Sequence, residues 1–142
     1  MKILIIPFLL LPLALAGQIE LKPAPKMNDI GEVRNGGTWI MTLSQSSSDS
    51  SYLLAFRNFE YQHIIDVKGF SIDKGNIDSF YYQLKQIITA ADNNYTMKLP
   101  SGQDLSVYVS KQKISFRIWN VSTWSYSGYI SAKQLDKLFG KL

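Results

Sequence analysis

The chain has one histidine, His63, with Glu60 and Asp66 three residues away on either side. On a helix these three would be neighbours, suited to a metal ion or to acid–base work. On a strand the histidine faces one way and both carboxylates the other. Phe59, Tyr61, His63, Ile65 and Val67 fall at every second position, on one face of a predicted strand, so the constellation comes apart. Serine is abundant, yet no Gly-x-Ser-x-Gly elbow occurs, and any triad would have to take its base from His63. Asp66, Asp73, Asp78, Asp104 and Asp136 are scattered over predicted loops and helix starts. There an acid suits the helix dipole rather than the fixed carboxylate pair of a glycosidase. Gly36-Gly37 is too short for a phosphate loop and precedes a strand. With no cysteine, thiol chemistry and a disulfide framework are excluded. The reading therefore leans away from an enzyme, with a small hydrolase as the last alternative, and expects no metal and no cofactor.

A second constellation is aromatic. The stretch from Phe116 to Ile130 reads FRIWNVSTWSYSGYI. Ile114, Phe116 and Ile118 share one face of a predicted strand, leaving Ser115, Arg117 and Trp119 on the other. Leu105, Val107 and Val109 of the preceding strand point to the core and Tyr108 away from it. If the two strands pair as a hairpin, Tyr108, Arg117 and Trp119 share one surface. Trp124 and Tyr126 join either that surface or the core, according to the turn between them and Trp119. Flat rings beside an arginine and small hydroxyls suit sugar rings, peptide strands or a protein partner, and Trp, Tyr and Arg dominate binding hot spots. The competing reading buries the same rings, because aromatic residues favour strands for packing alone. Tyr108, Arg117, Trp119 and Trp124 are the candidate binding residues.

These side chains need a scaffold. Trp39, Met41 and Leu43 mark one strand, and Tyr52 to Arg57 a second. The phase shifts after Gly69 to Phe70 and Ile72, which predicts a bulge or turn there. Ile77, Phe80, Tyr81, Leu84, Ile87 and Ile88 follow helical spacing, with Asp73 as the expected N-cap and Ile72 and Ile77 as a hydrophobic staple. Strands follow at Tyr95–Leu99, Leu105–Val109, Ile114–Ile118 and Trp124–Tyr129. Ser131 and Gln134 have capping-box spacing before a last short helix, stapled by Ile130 and Leu135 and stopped by Gly140. The expected fold is α+β: an antiparallel sheet of about six to eight strands, curved or in two halves, with two helices.

The two helix entries, IDKGNIDSFY (Ile72 to Tyr81) and ISAKQLDKLF (Ile130 to Phe139), agree in kind at their cap, staple and acidic positions. FRN at Phe56–Asn58 has a counterpart in FRIWN at Phe116–Asn120. The chain reads as one domain over 38–142, with repeat halves at 38–91 and 95–142, each running strands then helix. Such a unit resembles the PUR-repeat class of single-stranded nucleic-acid binders, whose curved sheets carry aromatic and basic residues. The resemblance implies an architecture and carries no residue across.

The N-terminus gives the setting. Met1-Lys2, the apolar run Ile3 to Leu13, and Ala14 and Ala16 read as an export signal over 1–16. The run is shorter than the ~20 residues a spanning helix needs, so no transmembrane segment is expected in the mature chain. Residues 17–37, with Pro23 and Pro25 and no period, read as an extended lead-in. A cysteine-free exported domain points to a bacterial periplasm or the extracellular space. The formal charge of +4 is spread along the chain, without the basic stripe of a nucleic-acid footprint, so nucleic acid is disfavoured. The expectation is a non-catalytic binding module for a protein partner or a second copy of itself, with a carbohydrate-binding module as the alternative.

Overall fold

The computed structural model describes residues 23–99, 101–120 and 123–142. The expected export signal, and part of the turn between Trp119 and Trp124, lie outside the described residues. Alternation and turn chemistry make two meanders. β1 (Met27–Asn35), β2 (Thr38–Ser46), β3 (Tyr52–Arg57) and β4 (Val67–Ile72) pair antiparallel in chain order. A single 3-10 turn (Lys74–Asn76) leads into α1 (Ile77–Ile88). β5 (Asn93–Lys98), β6 (Asp104–Ser110), β7 (Lys113–Asn120) and β8 (Thr123–Tyr126) repeat the plan. β9 (Ile130–Ser131) then pairs with β7 and runs into α2 (Ala132–Leu138). The fold is α+β, with two antiparallel sheets and two helices, and no described helix is long and apolar enough to cross a membrane.

The described residues form nine strands where about six to eight were expected. One addition is β1, inside the segment read as an extended lead-in. Its MNDIGEVRN sequence buries only Val33, so no apolar alternation announces it. The ladder to β2, with register shifts at Asp29/Gly31 and Val33/Arg34, and the hairpin turn hold it instead. Gly36 and Gly37, both at positive φ, supply that turn without the Cβ strain of other residues.

The strand expected over Phe59–Val67 is a loop, and β4 begins only at Val67. Asn58 decides this. Its backbone N–H donates to Asp66 O at 2.7 Å, its Nδ2 donates to Asp66 Oδ2 at 2.9 Å, and its Oδ1 accepts from Glu60 N. Pinning residues 58 and 66 together throws the intervening chain out as a loop. Gly69 makes no bulge: it stays in register with Ala55, and a Cβ there would meet Leu54 O at 2.8 Å. Asp73 precedes the 3-10 turn and makes no side-chain cap bond. The capping box of Ser131 and Gln134 is formed in full.

The core lies on the inner faces. Phe56 of β3 and Phe116 of β7 are fully buried, and Phe70, Phe80, Phe116 and Phe139 make a ring cluster with centroid separations of 5.7–6.3 Å. α2 lies against β1 and β2, so the second unit's helix covers the first unit's sheet. Gly31 permits the approach, since a Cβ there would sit 2.3 Å from Lys137 O. Asp136 Oδ1 accepts from the Tyr81 hydroxyl at 2.6 Å and from Lys85 Nζ at 2.9 Å, tying α1 to α2. The Tyr81 bond and the Lys85 charge hold the Asp136 carboxyl below the usual carboxylate range, and the same bond with burial pushes Tyr81 up to about 12.

Candidate functional site

Strand parity fixes the outer face of the second sheet. Leu105, Val107, Val109, Ile114, Phe116 and Ile118 are buried on the inner face. Tyr108, Arg117 and Trp119 therefore point outward together. The β7–β8 register puts Tyr126 opposite Arg117 and Trp124 opposite Trp119, so both rings left open between surface and core lie on that same face.

The four predicted residues and Tyr126 form one assembly. The Arg117 guanidinium carbon sits 3.6 Å over the Tyr108 ring and 5.6 Å from the Tyr126 ring centre. The contact with Tyr108 is diagonal. Directly opposite Arg117 stands Ser106, and opposite Tyr108 stands Ser115. Both serines are buried, and their small size leaves room for the guanidinium to lie flat across them. A cation between two electron-rich ring faces is attracted by each, worth about 1 kcal/mol per contact. Its Nε is buried without a hydrogen-bond acceptor, and no carboxylate among the described residues pairs with Arg117.

Next to this stack, Trp119 and Trp124 meet edge to face, with centroids 5.0 Å apart and planes at 61°. They are 48% and 43% exposed, well beyond what core residues show. Both indoles thus offer apolar ring surface to solvent. Lys98 at the end of β5 and Asp104 at the start of β6 pair at 3.9 Å at the rim of this face. Below, Ser127 braces the strand: its hydroxyl accepts from Phe116 N, and the Ser115 hydroxyl donates to its carbonyl. On the free side of β8, Tyr126 O accepts from Phe59 N and Tyr126 N donates to Asn58 Oδ1, which locks this corner to the first sheet.

His63 is elsewhere. It lies exposed on the 59–66 loop rather than on a strand, in an open hollow lined only by the consecutive residues Glu60 to Ile64. Asp66 is turned away from it toward Asn58 and Lys68. No cluster of His, Cys, Asp or Glu among the described residues could hold a metal ion. The same loop exposes Ile64 and Ile65.

No family model, curated protein or solved structure matches this chain.

Proposed function

We propose that the protein is a non-catalytic binding module and that the outer face of its second sheet, centred on Tyr108, Arg117, Trp119 and Trp124, is the recognition surface. One observation supports this above the others: two half-exposed indoles lie beside a guanidinium that no carboxylate among the described residues pairs with. Tryptophan, tyrosine and arginine are the side chains most enriched among the few residues that carry binding energy at interfaces. The setting is that of an exported protein, in the periplasm or outside the cell, following the signal-like segment 1–16. The hydrolase reading needs polar groups drawn together on His63 from separate elements, and its hollow among the described residues is lined by one run of loop residues, with Asp66 bonded to Asn58 instead.

The test labels Trp39, Trp119 and Trp124 with fluorine and follows their resonances while oligosaccharides, peptides and oligonucleotides are added in turn. The proposal expects one class to shift Trp119 and Trp124 and to leave Trp39 in place. Shifts confined to Trp39, or none with any class, would contradict it.

A further inference from the structure

We infer that this face takes an acidic saccharide, with a sugar ring packed against the exposed Trp119–Trp124 pair and its carboxylate on the guanidinium of Arg117. The inference rests on the reading of that face as the recognition surface and specifies its ligand.

Charge supplies the first argument. The strand positions that point outward on the second sheet carry Lys98, Lys113 and Arg117 as cations and Asp104 as the acid. Asp104 is paired with Lys98 at the rim. Arg117, held between Tyr108 and Tyr126, has no anionic partner among the described residues. A guanidinium stripped of part of its water and fixed in orientation is matched best by a planar carboxylate, which accepts two parallel N–H bonds. Tyr108 and Tyr126 hold the group in place, so little freedom is lost when the anion arrives.

The indole geometry supplies the second. Successive nucleic-acid bases stack on parallel ring faces along a track of cations. Planes at 61° present one face and one edge instead, which fits the C–H surfaces of a puckered, non-planar ring. An acidic peptide added as an extra strand needs a free strand edge. Beside the indoles that edge is β8, where Tyr126 already bonds Asn58 and Phe59, and the other edge, β5, lies two strands away from Trp119.

Isothermal titration of the domain with oligogalacturonate decides the matter. Neutral cello-oligosaccharide, poly-glutamate and oligo-dT serve as comparisons, at low and at raised salt. The expected result is saturable binding of the uronate alone, weakened by salt. Arg117→Gln should weaken it about tenfold, and Trp119→Ala, which leaves the Arg117 stack intact, about thirtyfold. Arg117→Lys should restore only part of the loss, because an ammonium cannot grip both oxygens. Equal binding of neutral and acidic sugars would overturn the carboxylate assignment and leave the face as a recognition surface. Binding of poly-glutamate or oligo-dT in place of sugar would overturn the saccharide and leave the face standing. If nothing binds, and the fluorinated Trp119 and Trp124 respond to no ligand class, both readings fall.

Discussion

Phe56-Arg57 in β3 and Phe116-Arg117 in β7 occupy the same rung of their meanders, the phenylalanine inward and fully buried, the arginine outward. Each arginine stacks on a ring, Arg57 on Phe59 at 5.6 Å and Arg117 on Tyr108 at 3.6 Å. Each Nε is buried and unpaired. Around that shared rung the outer faces part company. The first sheet surrounds Arg57 with Thr42, Ser44, Leu53, Ala55, Val67, Gly69 and Ser71. The second surrounds Arg117 with Tyr108, Trp119, Trp124 and Tyr126. The first meander thus takes the ring on its arginine from Phe59 of the loop after β3, whereas the second carries its rings on the strands themselves. Strand propensity alone would not separate the two faces.

The comparison can be broken from the inside first. Phe56→Ala and Phe116→Ala should each cost about 4 kcal/mol in urea unfolding, since each empties a fully buried phenylalanine site. A much smaller loss at Phe116 would mean the second sheet is not built around its core as the first is.

The next effect belongs to the helix tie. Tyr81→Phe should cost about 1.5 kcal/mol near neutral pH, the worth of a hydrogen bond to a charged group. Because the Asp136 carboxyl is depressed in the folded state, its contribution is present above about pH 4 and is lost as pH falls through the depressed value. Tyr81 is raised to about 12, so its contribution is whole below about pH 10 and is lost as pH climbs toward 12. The gap between wild type and variant should close at both ends of a pH series of thermal melts. A gap that stays constant would disprove the tie.

The smallest effects sharpen the outer-face contrast. Trp119→Ala should lower stability by only about 1 kcal/mol, the value of a lost ring pair. Leu53→Ser, at a comparably open site on the other sheet, should shift it by no more than about 0.5 kcal/mol. A loss of several kcal/mol at Trp119 would make it a packing residue and remove the contrast.

Much of this arrangement is written locally. The period-two runs at Leu105–Val109 and Ile114–Ile118 set the second hairpin and hence the shared outward face of Tyr108, Arg117 and Trp119. The Ser131–Gln134 box and the α1 stripe are equally local. What escaped sequence reading depends on distant partners. β1 exists through its ladder to β2 and the seat Gly31 gives α2, not through any apolar pattern of its own. Phe59 to Val67 alternates like a strand, yet the bond between Asn58 and Asp66 closes it into a loop. Tyr126 reaches Arg117 only because β8 folds back on β7 in one particular register, and residues 116–126 could have paired in others.

The central claim is that Trp119 and Trp124 stand open to water in the free molecule. Iodide quenching of the chain from Gly17 onward, with its mass taken by light scattering and with Trp39→Phe, Trp119→Phe and Trp124→Phe for comparison, tests it directly. The account predicts a quenchable monomer whose accessible emission falls when Trp119 or Trp124 is replaced and persists when Trp39 is. Trp39 is half-buried and bonded through its indole N–H to Thr42 Oγ1. A monomer in which Trp119 and Trp124 resist iodide would contradict it.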